Sequence, residues 1–112
     1  MATFHPSLTN EKWQRLSPAH QILNIAAELS RARNATAQGD SISCTHSLER
    51  VSELLELSIA DQKWLRNSRR EFLRLKEFLA GYYISDNKKS EHLTQALQVL
   101  LFFHKDSSIV KI

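Results

Sequence analysis

Backbone breakers are scarce in this chain, and where they fall limits what it can fold into. Pro6, Pro18, Gly39 and Gly81 are the only prolines and glycines in 112 residues. Strand-rich folds need turn residues about every 8–12 positions, whereas long helices joined by short turns do not. The sequence therefore predicts an all-α fold, and its length suits a single domain over 1–112 that can bury one core.

Composition narrows the class. At 42% hydrophobic and 24% charged, the chain is neither disordered nor fibrous in make-up. A lone cysteine, Cys44, excludes an intramolecular disulfide framework and a four-cysteine zinc site. No run of about 18 apolar residues is present, so no membrane span is expected. The N-terminal text MATFHPSLTNEK lacks a basic start followed by an apolar run, so no secretory signal is expected and a cytoplasmic setting is the default.

Helix signals then follow in order. Residues 1–16 mix Phe4, Leu8, Trp13 and Leu16 with polar side chains and read as an N-terminal arm whose aromatics dock on the rest, with Asn10 able to cap one turn. Ser17-Pro18 is an N-cap followed by a first-turn proline. From it, Ile22, Ile25, Ala26, Leu29 and Ala32 recur at helical spacing up to the stop at Gly39. A second helix over 41–59 carries Cys44, Leu48, Val51, Leu54, Leu55 and Ile59 on one arc and His46, Glu49, Glu53 and Glu56 on the other. The short turn between them predicts an antiparallel hairpin.

The third helix is expected over 62–84, with Asp61 as its cap. Trp64, Leu65, Phe72, Leu75, Leu79 and Tyr82 share its apolar face, Phe78 and Tyr83 flank that face, and Gly81 marks a close contact or fraying. A fourth helix over 88–105 carries a core stripe of Leu93, Ala96, Leu97, Leu100, Leu101 and His104. Val99, Phe102 and Phe103 point elsewhere, so this helix is apolar on nearly all sides and needs a second cover. The tail SSIVKI, the N-terminal arm or a second copy could supply it, and self-association is favoured, with Val99, Phe102 and Phe103 as its candidate oligomer face. The architecture predicted is an antiparallel four-helix bundle with an N-terminal arm.

Residues 32–57, ARNATAQGDSISCTHSLERVSELLEL, resemble a tetratricopeptide-type α-hairpin, but no second copy follows at that repeat's period. The text SLERVSELLELSIADQKW over 47–64, with REFLRL at 70–75, is similar to small uncharacterised bacterial helical proteins. That resemblance implies a bacterial source and carries no activity.

The charged candidate is the basic face of the third helix, Lys63, Arg66, Arg70 and Arg74. Over 62–84 six cations face two carboxylates, a net +4, while 41–59 has one arginine against three glutamates, a net −2. Aligned arginines can bind phosphate or carboxylate bidentately. The face can therefore be solvated, meet a protein partner such as the acidic helix of another subunit, or bind nucleic acid. The absence of a basic tail and of aromatics between the arginines disfavours nucleic acid.

Catalytic and cofactor signals are weak. His5, His20, His46, His92 and His104 are scattered without a His-x3-His pair, so no metal is expected. Arg15 and His20 have the Arg-x4-His spacing that resembles the motif of small helical ribonucleases of the HEPN type, yet Ser17-Pro18 starts a helix between them. Cys44 lies on an apolar arc without a second cysteine or a positioned base, and no Gly-rich loop exists to cradle a phosphate. The aromatic row Phe72, Phe78, Tyr82 and Tyr83 reads as core before ligand cavity. The function expected is a non-enzymatic helical interaction or adaptor module, self-associating or binding another protein; the alternative is nucleic-acid binding through the basic face.

Overall fold

A computed structural model describes residues 10–103, except for the side chains of Phe102 and Phe103. Expectations for Phe4, His5, Leu8, His104, Lys105 and the tail SSIVKI lie outside the described residues. Five helices follow one another: α1 (Asn10–Gln14), α2 (Pro18–Ala37), α3 (Ser41–Ile59), α4 (Arg66–Ile84) and α5 (Ser90–Phe103). The fold is all-α, and its four long helices agree with a four-helix bundle. None of the described helices is long and apolar enough to cross a membrane.

Local chemistry explains where α2 and α3 begin and end. The Ser17 hydroxyl accepts from the His20 amide at 3.2 Å, and Pro18 opens α2. Gly39 adopts φ +74°, a left-handed conformation that glycine reaches without the steric cost of a Cβ. That bend lets the Asp40 amide donate back to the Ala35 carbonyl at 2.8 Å. Asp40 then caps α3 by accepting from the Ser43 amide at 3.0 Å, which holds its carboxyl below the ordinary pKa.

The α2–α3 hairpin is the centre of the molecule. α5 packs against α2, α4 against α3, and α1 against α3; no extended packing joins α4 to α5. The two pairs Glu56–Lys76 and Glu49–Tyr83 fix the α3–α4 register, because seven residues back along α3 match seven forward along α4. That is antiparallel packing. The core holds Trp13, then Ile22, Ile25, Leu29 and Ala32 of α2, Leu48, Val51 and Leu55 of α3, Phe72 and Leu79 of α4, and Leu93 and Leu100 of α5. Each large side chain so buried contributes about 2 kcal/mol of transfer free energy.

Several expectations change at the junctions. The arm is as expected in carrying one short helix, α1, whose Trp13 is buried against the bundle; the changes come after it. α4 begins at Arg66, not 62, because Asp61 is buried and its carboxylate is engaged by Gln21 and Lys63. Leu65 consequently sits in extended backbone ahead of the helix and is 77% exposed, off the apolar face expected of it. Gly81 is no close contact: a Cβ there would meet nothing within 4 Å. α5 begins at Ser90, because the Tyr82 hydroxyl donates to the Lys89 carbonyl at 2.9 Å and holds that residue in the turn.

Candidate functional site

Of the four long helices, α4 makes the least lengthwise contact with its neighbours. Its inner face buries Phe72, Leu79 and Tyr82 against the rest, and α3 is its one extended neighbour. The remainder of its circumference is open. Of the seven large hydrophobic residues exposed among the described residues, five lie at its start or along it: Leu65, Leu73, Phe78, Tyr83 and Ile84. Ile84 is 79% exposed at the last position of the helix.

Between α3 and α4 the surface opens into a groove of about 300 Å³. Leu48, Leu55 and Leu79 form its floor, while Glu49, Tyr83 and Ile84 stand among its other lining residues. The Tyr83 hydroxyl donates to Glu49 Oε2 at 3.3 Å. Desolvation and the adjacent Glu49 carboxylate both raise the Tyr83 pKa, so the hydroxyl keeps its proton and remains a donor. Further along, Lys76 Nζ lies 2.9 Å from Glu56 Oε1. An apolar floor between a hydroxyl–carboxylate hydrogen bond and an ion pair is a shape that accepts the apolar edge of a helix.

The four cations predicted to form one face do not stay together. Lys63 lies in the α3–α4 turn, where its Nζ donates to Asp61 Oδ2 at 2.6 Å and to the Gln14 carbonyl at 2.8 Å. It ties α1 to the turn and leaves the basic face. Arg74 lies on α4 and pairs with Glu71 one turn before it. Arg66 and Arg70 are exposed, and their side chains make no hydrogen bond or ion pair among the described residues. The basic surface is therefore shorter than expected, and carboxylates are interspersed with it.

On α5, Val99 is 58% exposed. The side chains of Phe102 and Phe103, the other two members of the predicted oligomer face, lie outside the described residues. Arg15 and His20 fall on separate elements, with Arg15 following α1 and His20 in the first turn of α2, its ring 2.9 Å from the Ser17 hydroxyl. Cys44 is buried, with its Sγ 2.9 Å from Thr36 Oγ1. No group of three or more His, Cys, Asp or Glu side chains converges in metal-binding range among the described residues.

The feature least visible in the sequence is a buried polar cluster under the α3–α4 turn. Gln21 is fully buried and donates from Nε2 to the Trp13 carbonyl at 2.7 Å and to Asp61 Oδ2 at 2.9 Å. Its Oε1 accepts from Trp64 Nε1 at 2.6 Å. Trp13 Nε1 donates to the buried Ser58 hydroxyl at 3.0 Å. Burial raises the Asp61 pKa, but hydrogen bonds from Gln21 and Lys63 outweigh it, and the carboxyl titrates below its ordinary value. The one signal available was spacing: position 21 lies four residues before Ile25, on the buried stripe of α2.

Gln21, Ser58, Asp61, Trp13 and Trp64 of this cluster are all buried, and its chemistry is that of a joint. It ties the turn from which α4 projects to α1 and α2. Comparison with protein families, curated proteins and solved structures finds no match to this chain.

Proposed function

We propose that this chain is a non-enzymatic protein-interaction module whose docking surface is α4 together with the α3–α4 groove. The observation that carries this reading is the concentration of exposed large apolar side chains between residues 65 and 84, on a helix packed lengthwise against α3 alone. Large apolar side chains exposed together on one element, with charge around them, are what a docking partner covers. Both signs of charge border it: Arg66 and Arg70 towards the start of α4, Glu77 further along it and Glu49 on α3. A protein partner can match both signs, whereas nucleic acid would gain only from the arginines and be repelled by the carboxylates. A buried free cysteine suits a cytoplasmic setting.

A photo-crosslinking residue placed in cells at 73 or 84 tests the reading against one placed at the exposed Asn24 of α2. Discrete protein adducts are expected from 73 and 84 only, and Ala80→Glu, which puts a charge into the groove, should abolish them. Adducts to nucleic acid, or none at all, would overturn it.

A further inference from the structure

The identity of the partner can be argued from the order of residues along the outer face of α4. Arg66, Arg70, Leu73, Glu77, Ala80 and Ile84 follow one another at alternating steps of four and three, and all six are exposed. That alternation is the seam spacing of helices that pack lengthwise on one another. The seam is also polarised. Its N-terminal half carries Arg66 and Arg70, with Arg69 and Arg74 beside them, against Glu71. Its C-terminal half carries Glu77 and Lys76, the latter paired with Glu56 of α3, and α3 adds Glu49 near the end of the helix, where it accepts from Tyr83.

A surface with an excess of cations at one end and an excess of carboxylates at the other matches its own copy when that copy is turned end for end. The two most exposed large apolar residues among the described residues, Leu65 and Ile84, stand at opposite ends of the same helix. End-for-end pairing brings Leu65 of one chain towards Ile84 of the other, twice over, with Leu73 near the centre. A parallel arrangement would set arginine against arginine.

We infer that the partner is a second copy of this chain, its α4 lying antiparallel along the first so that Arg66 and Arg70 meet Glu49 and Glu77 of the partner subunit. This rests on the interaction-module reading and gives it an occupant. The pairing is isologous: each contact occurs twice across one two-fold axis, and the surface closes on itself as a dimer. The buried joint of Gln21, Asp61 and Trp64 holds the arginine end of the seam in place in both copies.

Charge exchange followed by light scattering on the purified full chain tests the inference. The unaltered protein should have twice the 12.9 kDa mass of one chain across micromolar concentrations. Arg66→Glu with Arg70→Glu should give monomer, as should Glu49→Lys with Glu77→Lys, each with its helical circular dichroism retained. Mixing the two variants should restore a dimer containing one of each. If Glu49→Lys disturbs folding through its bond to Tyr83, Glu77→Lys alone should still weaken dimerisation at least about tenfold, as loss of a desolvated charge pair does. A monomeric unaltered protein, or a dimer indifferent to both reversals, would overturn the antiparallel copy. Crosslinks from 73 and 84 to a different protein would in that case leave the interaction-module reading standing.

Discussion

Gln21 and Trp64, 43 positions apart in sequence, are joined by a 2.6 Å hydrogen bond from the indole Nε1 to the amide Oε1. The same amide serves the Trp13 carbonyl and the Asp61 carboxylate. One side chain thus satisfies three buried groups drawn from α1 and the α3–α4 turn. A buried polar group without its partner costs its desolvation free energy, so the arrangement depends on the whole cluster being present.

Replacing that amide by an apolar isostere should therefore be costly. Gln21→Leu keeps the volume but takes the amide acceptor from the Trp64 N–H and one donor each from Asp61 and from the Trp13 carbonyl, which keeps only its bond from the Leu16 amide. The expected loss is about 3 kcal/mol in urea unfolding followed by tryptophan fluorescence. A loss below about 1 kcal/mol would show that water replaces the amide and that the joint is not tight.

Acid should act on the same place. The folded pKa of Asp61 lies below its unfolded value near 3.8, so its contribution to stability is present above that value and fades as pH falls through the lower folded one. The stability difference between the native chain and Asp61→Asn should be largest near neutral pH and shrink in that acid window. Urea midpoints measured from about pH 7 to about pH 3 read this directly; a difference that stays constant would mean the carboxylate charge plays no part.

Glu28 gives a comparison between two arginines. It is buried in the hairpin and pairs with Arg50 of α3 and Arg31 of its own helix. The Arg31 side chain is 64% exposed and that of Arg50 29%. Arg31→Ala should cost under about 1 kcal/mol, as exposed pairs do, whereas Arg50→Ala leaves a buried carboxylate short of its inter-helix partner and should cost about 2 kcal/mol. Thermal unfolding of the two single variants, with Glu28→Gln as the common background, separates the pairings from the packing of the arginine stems.

Much of the bundle was legible because its signals are local. Ser17-Pro18 and Gly39-Asp40 mark the ends of α2 and the start of α3 by chemistry acting within four residues. The stripes of α2 and α3 follow from period alone, and their predicted members are buried, with Ile59 half-buried. The start of α4 was not legible, because Asp61 reads as a helix cap until Gln21, 40 positions earlier, claims its carboxylate. Lys63 left the basic face for the same reason. The exposure of α4 was equally hidden: periodicity gives each helix a face but not its neighbours, and α5 packs on α2.

In the proposed dimer the outer face of α4 is the covered one. Amide hydrogen exchange measured at low and high protein concentration tests this most directly. Exchange across residues 66–84 should slow as concentration rises, while exchange in α2 stays unchanged. Exchange in α4 that is independent of concentration, or slowing confined to α5 around Val99, would contradict it.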